Sequence, residues 1–390
     1  MIVYYSDPFT FPLPPEHRFP LAKYRLLRER IERWPAATGV ELRLAPRALR
    51  DELLLAHTAG YLDGFAAGAL GKEAMMRIGF PWSPELVERS LRSCGGTVAA
   101  AREALARGKA CYLAGGTHHA RADRGAGYCV YNDVAVGARI VQREGGAGRV
   151  LVVDTDVHQG DGTAAIFAGD ASVFTFSIHG DANFPAAKAT SDLDVALPTG
   201  TGDDAYLSAL RQGLATCFDR GRPDFAFYLS GADPHEGDRL GKLAVTKAGL
   251  RERDRMVFAA LRARGVPWVT VMGGGYGKRI EETDDVYEAN VDEALRGCRR
   301  RRRRRRGRGH FAVGAAGMRT PRTCTVRRRT RPSDRCVPSQ SHRLADAATR
   351  KSVTAAVGRS SPANCCSNVR GEPTRRRAPA TSGCDSPNRP

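Results

Sequence analysis

The sequence predicts an α/β protein in which a central parallel sheet is flanked by helices on both faces. Short apolar runs recur along the chain, polar or glycine-rich residues follow them, and longer amphipathic segments separate several of them. Strands that alternate with helices in this way are typical of parallel sheets covered on both sides. In such sheets the ligand site lies beyond the carboxyl ends of the strands, so we expect the functional residues there.

Six apolar runs are predicted to be strands. They are Ile2–Tyr5, Cys111–Ala114, Val150–Val153, Val173–Ile178, Asp224–Leu229 and Val266–Met272. The third is an uninterrupted Val-rich run, as expected of a strand that is buried on both faces. Four amphipathic segments are predicted to be helices, namely Thr97–Arg107, Asp133–Arg143, Asp203–Asp219 and Lys247–Arg264.

Composition divides the chain into two parts. The whole sequence has 61 Lys and Arg residues and 42 Asp and Glu residues. Residues 298–390 hold 25 of the basic and 4 of the acidic side chains, so residues 1–297 hold 61 − 25 = 36 and 42 − 4 = 38. A body of this length can bury one large core, whereas a tail rich in Arg, Ser, Thr and Pro cannot. We therefore predict a single domain at residues 1–297 and a disordered, low-complexity tail at residues 298–390.

Two interpretations of the tail stay open. If it is a nucleic-acid arm, the eight consecutive arginines Arg299–Arg306 would neutralise phosphate groups. Alternatively, it is a read-through or frame-shifted extension of the coding sequence, because the composition changes abruptly at its start. Nucleic acid is an expected partner only under the first interpretation, and the oligomeric state is not predicted.

Cysteine usage and hydropathy indicate a cytoplasmic protein. The body has four cysteines at spacings that suggest neither a disulfide ladder nor a CxxC metal clip, namely Cys94, Cys111, Cys129 and Cys217. The first residues have neither the basic region nor the long apolar core of a signal peptide. No run approaches the ~18 apolar residues of a membrane span, so no membrane partner is expected.

The segment Asp154–Gly162 directly follows the Val-rich strand and predicts a metal site. Alternate residues of an extended chain share a face, so Asp154, Asp156 and His158 project together where the strand ends. Two carboxylates and an imidazole suit a divalent metal ion that keeps one position open. Asp233, after the fifth predicted strand, is placed to be a third ligand. One such Asp alone is equally typical of a helix N-cap, but three at matched strand ends favour the metal.

Proton transfer is predicted for His118 and His119, which follow a glycine pair after the second strand. Two carboxylates remain to orient them, and we expect Asp154 to pair with His118 and Asp161 with His119. Tyr276 follows three glycines after the sixth strand and is predicted to donate a hydrogen bond to a developing oxyanion.

Together these residues resemble the histone deacetylase family of zinc amidohydrolases. The motifs that carry the resemblance are Gly115–Asp133, Asp154–Gly162, Ser230–Asp233 and Gly273–Tyr276, and the similarity extends over nearly all of residues 1–297. The opening Glu16–Tyr24 and the segment Glu236–Gly241 are similar to the class IV branch and its bacterial relatives. The resemblance implies the arginase/deacetylase fold and a catalytic domain at residues 1–297.

The resemblance also implies the ions and their ligands. One zinc ion, with iron(II) as the alternative, would be held by Asp156, His158 and Asp233. The family's structural monovalent cation, usually potassium, would map to Asp154, to the backbone carbonyl groups of Asp156 and His158, and to Ser177 with the carbonyl group of Ile178. Arginases share the fold, but the additional ligands of their two manganese ions are missing from this sequence.

The resemblance implies hydrolysis of a linear amide by metal-activated water. The expected substrate is an N-acyl lysine of a protein or peptide, with an acetyl or a longer fatty acyl group; the alternative is a small acylated amine. The substrate tunnel is expected at Gly127, Tyr128 and Leu240. Tyr128 stands where the family commonly has Phe. Leu240 stands where polyamine-specific relatives place a Glu, which favours acyl-lysine over acetylpolyamines.

Overall fold

One parallel sheet of eight strands organises the protein. The computed structural model describes the backbone of residues 1–306 and the side chains of residues 1–296. The strands are β1 Ile2–Tyr5, β2 Glu41–Leu44, β3 Lys109–Tyr112, β4 Val150–Asp154, β5 Val173–Gly180, β6 Leu193–Leu197, β7 Phe225–Leu229 and β8 Trp268–Val271. Their order in the sheet is β2-β1-β3-β8-β7-β4-β5-β6, and all neighbours are parallel.

Ten α-helices connect and cover the strands in the described residues. They are α1 Lys23–Glu32, α2 Arg50–Leu53, α3 Ala59–Ala66, α4 Lys72–Ile78, α5 Pro84–Arg107, α6 Asp133–Arg143, α7 Asp161–Ile166, α8 Asp203–Thr216, α9 Lys247–Arg264 and α10 Ile280–Arg306. A short 3₁₀ turn at Ala36–Thr38 and a π turn at Cys217–Gly221 complete the order. None of the helices in the described part is long and apolar enough to cross a membrane.

Both faces of the sheet are covered, which confirms the predicted fold class. Successive residues of β4 point to opposite faces, so Val150 and Val152 enter one core cluster while Leu151 and Val153 enter the other. The four described cysteines are buried and free. The predicted domain boundary lies inside α10, whose backbone continues as helix to Arg306. The rest of the tail, with its predicted disorder, lies outside the described residues.

The two edge strands were not predicted, because neither has a continuous apolar run. In β2, Glu41 and Arg43 face solvent and form an ion pair of 2.6 Å. The helix α5 starts earlier than predicted because Ser83 caps it, accepting a hydrogen bond from the backbone N–H of Leu86 at 3.1 Å. Glycines at positions 95 and 96 interrupt its apolar pattern; a Cβ at Gly96 would lie 2.5 Å from the Tyr112 ring.

The sheet places the loops that carry the predicted site residues at one edge. Asp154, the last residue of β4, is paired in register with Ser177 of β5 and with Leu229 of β7. Leu229 is paired with Val271 of β8. Because all these strands run in the same direction, the loops that follow them emerge side by side at the carboxyl edge, where the sequence predicts the site.

Candidate active site

Three side chains converge at the carboxyl edge of the sheet. Asp156 and His158 follow β4, and Asp233 follows β7. Their ligand atoms lie within 4.8 Å of one another. His158 Nδ1 is 2.9 Å from Asp156 Oδ1 and 3.1 Å from Asp233 Oδ2. The structure thus brings together the three residues that the sequence predicts to hold the metal ion.

The arrangement concentrates buried negative charge. Burial opposes a charge on His158, but the carboxylates of Asp156 and Asp233 outweigh it and raise its pKa to about 10. Burial, together with the charge of Asp156, raises the pKa of Asp233 to about 7. Asp233 Oδ2 is buried and, apart from the contact with His158 Nδ1 at 3.1 Å, has no hydrogen-bond partner among the described residues. Two carboxylates and an imidazole nitrogen form a donor set that fits a divalent ion such as zinc.

Glycines from two loops close around these carboxylates. Gly274 donates its backbone N–H to Asp156 Oδ2 at 2.5 Å, and a Cβ at Gly274 would lie 1.8 Å from Asp233 Oδ2. A Cβ at Gly231 would lie 2.7 Å from Asp156 Oδ2. Real Cβ atoms essentially never approach within 3.0 Å of another heavy atom. These two positions therefore require glycine because of the close approach of the ligands.

Two histidines lie beside the ligands, and each is held by its own aspartate. His118 Nδ1 is 2.6 Å from Asp154 Oδ2, and His119 Nδ1 is 2.7 Å from Asp161 Oδ1. The centroids of the two rings are 4.1 Å apart. The residues are thus paired as the sequence predicts, and because each Nδ1 faces a carboxylate, Nε2 remains for proton transfer.

The two histidines differ in their electrostatic surroundings. Burial opposes a charge on His118, yet the neighbouring carboxylates, Asp154 first, raise its pKa to about 9. Burial and the adjacent His118 lower the pKa of His119 to about 4, against the effect of Asp161. The pKa values of the two rings therefore shift in opposite directions, although each ring is paired with its own aspartate.

Three further residues, for which no role was predicted, hold the histidine segment. Arg121 Nη2 donates to Asp161 Oδ2 at 3.0 Å, so this carboxylate is shared with a guanidinium group. Asp133 Oδ1 accepts a hydrogen bond from the backbone N–H of Thr117 at 2.8 Å. Asn132 caps α6 and donates to the Ala120 carbonyl at 3.0 Å. Asn132 and Asp133 are recognisable in the sequence as the start of a helix. Their contacts with the loop that carries the histidines depend on tertiary structure and could not be predicted.

Tyr276 lies in the same cavity, at the end of the glycine loop after β8. Its ring centroid is 6.5 Å from that of His158 and 6.0 Å from that of Tyr128. Its backbone N–H donates to Asp238 Oδ2 at 2.6 Å, and its carbonyl accepts from Arg239 Nε at 2.9 Å. Burial raises the pKa of the phenol well above its usual value, so the hydroxyl keeps its proton and can donate a hydrogen bond.

Aromatic side chains narrow the access to the site. The cavity beside the histidines has a volume of about 50 Å³, and Gly127 and Tyr128 line it, as predicted for the tunnel. The ring of Phe184, which the sequence did not single out, packs edge-on against His119 with centroids 4.8 Å apart. Leu240, also predicted to line the tunnel, is half-buried and is not among the residues that line this cavity.

The residues predicted for the monovalent cation lie behind the metal ligands. Asp154 Oδ1 accepts a hydrogen bond from the backbone N–H of Asp156 at 3.1 Å. Ser177, its register partner in β5, places Oγ 3.0 Å from His179 Nδ1. The next residue, Ile178, is fully buried. The residues are adjacent as expected, and the cation itself stays a prediction.

Comparison with known proteins identifies the family. The sequence profile described as "Histone deacetylase domain" matches residues 17–292. An uncharacterized protein of Picosynechococcus sp. is 46% identical over 281 residues, which are 72% of this chain and 93% of that protein. The histone deacetylase-like amidohydrolase of Pseudomonas aeruginosa is 33% identical over 259 residues, which cover 61% of this chain and 66% of that protein.

Solved structures share the fold. A histone deacetylase homologue from Aquifex aeolicus superposes with a TM-score of 0.64 at 23% identity, over 75% of this chain and 84% of that chain. The HDA15 HD domain superposes with a TM-score of 0.63 at 22% identity, over 76% of this chain and 91% of that chain. The parallel eight-stranded sheet is thus that of the arginase/deacetylase fold. Because the domain profile spans more than half of the sequence, the chain belongs to the histone deacetylase family of hydrolytic enzymes.

Proposed function

We propose that this enzyme removes acyl groups, acetyl or longer fatty acyl, from the lysine side chains of proteins. The observation that carries the proposal is the convergence of Asp156, His158 and Asp233 within 4.8 Å, beside two histidine–aspartate pairs and a buried tyrosine. Hydrolysis of an unactivated amide needs an electrophile, a proton acceptor and donor, and a group that stabilises the oxyanion. The site holds residues suited to each of these roles.

The first requirement is the electrophile. Asp156, His158 and Asp233 would hold it as a zinc ion, with iron(II) as the alternative, and the ion supplies Lewis acidity that activates water and polarises the amide carbonyl. A structural potassium ion near Asp154 and Ser177 would keep the end of β4 in register with β5.

The histidines provide the proton acceptor and donor. His119 Nε2 takes the proton of the attacking water, while Asp161 at Nδ1 fixes the tautomer and stabilises the imidazolium that forms. A histidine then gives a proton to the lysine amine as the carbon–nitrogen bond breaks. His118, held at 2.6 Å by Asp154, lies beside His119 and completes this exchange.

Tyr276 supplies the oxyanion donor. Its phenol is buried and protonated, and the backbone contacts with Asp238 and Arg239 fix the main chain that carries it. A donor that is already oriented before the reaction costs no reorganisation when the negative charge develops on the carbonyl oxygen.

The surroundings of the cavity favour acyl-lysine over an acylated polyamine. Leu240 provides no carboxylate where a polycationic amine would need one. The loop that carries Phe184 also holds two ammonium groups: Lys188 Nζ donates to the Asn183 carbonyl at 2.6 Å and Lys242 Nζ to the Ala182 carbonyl at 2.8 Å. Asp181 of the same loop acts on Lys188 with the opposite charge, so the preference for acyl-lysine rests on Leu240.

Turnover of a graded substrate series tests the proposal. The metal-loaded full chain is assayed with fluorogenic acetyl-, decanoyl- and myristoyl-lysine peptides and with an acetylated polyamine, each with and without a hydroxamate chelator. We expect chelator-sensitive cleavage of at least one acyl-lysine peptide and weaker cleavage of the polyamine. Metal-loaded protein that cleaves only the polyamine would assign the small-amine alternative instead.

A metal-ligand variant shows whether the measured turnover comes from the metal site of this protein or from a contaminating hydrolase. Asp156→Ala removes one of the three proposed ligands, so we expect metal content and turnover to be lost together. Elemental analysis of the purified chain gives the content of zinc and iron, and circular dichroism shows that the fold is retained. Full turnover without bound metal would exclude the proposed mechanism.

A further inference from the structure

A fully buried ion pair lies behind the loop that carries Asp233. Arg253 and Asp254 are consecutive residues of α9, and both side chains are 0% exposed. Arg253 Nε is 2.9 Å from Asp254 Oδ1, and the hydroxyl of Tyr228 donates to the same oxygen at 2.5 Å. A buried ion pair often stabilises a fold less than apolar residues of the same volume would. Its position, not its energy, therefore suggests its role.

The guanidinium group of this pair reaches the metal loop. Arg253 Nη1 donates to the backbone carbonyl of Gly231 at 2.6 Å, two residues before Asp233. Within the described residues no other donor to this carbonyl is seen. A charge-assisted hydrogen bond of this length is among the stronger ones in proteins. Arg253 therefore holds the backbone of Gly231 in position through this hydrogen bond.

Gly231 is the spacer between two of the proposed ligands. A Cβ on this residue would lie 2.6 Å from Asp156 Cα, 2.7 Å from Asp156 Oδ2 and 2.8 Å from Asp233 Oδ1. Gly231 therefore lies between the two carboxylates at a position that leaves no room for a side chain. A displacement of Gly231 by a few tenths of an ångström would change the separation of the two carboxylates.

We propose that Arg253 is a positioning residue for the metal site, which sets the spacing of Asp156 and Asp233 through the carbonyl of Gly231. Asp254 and Tyr228 orient the guanidinium group for this contact, and a neutral side chain of similar size would not provide it. The inference rests on the proposed function only in its metal ligands and is independent of the acyl substrate.

The decisive experiment measures metal affinity directly. In the full chain, the double substitution Arg253→Met and Asp254→Asn removes the ion pair without leaving a buried charge, and the Asn still accepts from Tyr228. The zinc dissociation constant is obtained by competition with a chromophoric chelator. Residues that hold metal ligands in place typically affect affinity about 10- to 100-fold, and we expect a weakening in this range. A folded double variant that binds zinc within twofold of the wild type would overturn the inference.

A matched control excludes general destabilisation. Arg89 is also buried and donates to a backbone carbonyl, that of Ser6, at 2.6 Å. Ser6 follows β1, which is separated from β7 by two strands of the sheet. Arg89→Met should lower the melting temperature without changing the zinc dissociation constant. An equal loss of affinity in this control would show that the effect is not specific to Arg253.

A conservative variant keeps the test decisive if the double variant does not fold. Arg253→Lys retains the charge, but one ammonium group cannot reproduce the fork that meets Asp254 and Gly231 together. We expect zinc affinity to be weaker than that of the wild type; a folded Arg253→Lys variant with affinity within twofold of the wild type would overturn the inference. Because zinc binding is measured without substrate, failure to cleave acyl-lysine would disprove the proposed function and leave this result intact.

Discussion

The backbone N–H of Gly274 donates a hydrogen bond of 2.5 Å to Oδ2 of Asp156. This contact ties the loop that leads to Tyr276 directly to a proposed metal ligand. A second hydrogen bond joins Gly274 to the residue before Asp233: the Gly274 carbonyl accepts from the backbone N–H of Ala232 at 2.9 Å. The position of the proposed oxyanion donor and the geometry of the proposed metal site are therefore coupled through one glycine.

The substitution Gly274→Ala should disrupt this coupling. The new Cβ would lie 1.8 Å from Asp233 Oδ2, so either the carboxylate or the loop must move. We expect metal affinity and turnover to fall together, measured by chelator competition and by peptide cleavage. Gly60→Ala is the control, because a Cβ at Gly60 meets nothing within 4 Å. Normal zinc affinity in Gly274→Ala would show that the loop can move away from Asp233 without disturbing the proposed metal ligands.

Tyr276→Phe should separate chemistry from metal binding. The phenol is not among the three grouped ligands, so the metal content is expected to be unchanged. Loss of one oxyanion donor typically lowers turnover by about 10² to 10³. Stopped assays with an acyl-lysine peptide, normalised to bound metal, give this factor. Near-normal turnover would disprove the oxyanion role.

The central strands and the strand-end residues were predictable because both depend on local pattern. A run such as Val150–Val153 is apolar at every position, and parallel strands deliver the residues after them to one edge. The pairing of His118 with Asp154, now seen at 2.6 Å, followed from counting the carboxylates left over at that edge.

The supporting residues were not predictable from local pattern. Arg253 lies in an amphipathic helix among other charged residues, and nothing in the sequence distinguishes its buried side chain from exposed neighbours such as Arg255. The edge strand β2 was missed because it has only four residues, and the alternation of Glu41 and Arg43 with Leu42 and Leu44 is too short to stand out from the surrounding sequence. Such features are fixed by tertiary contacts, and the sequence signal for them is weak.

Substrate preference should respond to Leu240. Leu240→Glu introduces a carboxylate at a half-buried position near the access loop, where Asn183 Nδ2 donates to the Leu240 carbonyl at 2.9 Å. We expect the ratio of kcat/KM for acetylpolyamine over acetyl-lysine peptide to rise at least about tenfold, which corresponds to about 1.4 kcal/mol. Leu240→Gln, similar in size but uncharged, should leave the ratio unchanged. An equal shift in both variants would indicate a steric effect.

Removal of residues 298–390 should leave deacylation intact. Among the described side chains, which end at residue 296, the last buried ones of α10 are those of Ala294 and Leu295, ahead of the deletion. Binding to duplex DNA at low and high salt then distinguishes the two interpretations of the tail. Binding by the full chain that is lost on deletion and weakens steeply with salt assigns a nucleic-acid arm. No binding by either form supports a coding extension, and lost deacylation would show that the tail serves the catalytic domain.

The stability of the fold should depend on pH through His57. This buried ring lies with Nδ1 3.0 Å from the Arg121 carbonyl, and its Nε2 accepts from the backbone N–H of Asn132 at 2.9 Å, so it must be neutral. Burial lowers its pKa from 6.5 to about 4.

The direction of the effect follows from where the proton binds. Because the unfolded chain takes up the proton first as the pH falls, the free energy of unfolding should decrease between about pH 6.5 and pH 4. The full shift corresponds to about 3 kcal/mol, and His57 contributes no pH dependence above pH 6.5. In urea titrations across this range, His57→Gln should be less stable at neutral pH yet less sensitive to acid than the wild type. Parallel stability curves for the two proteins would mean that His57 is not the acid-sensitive group.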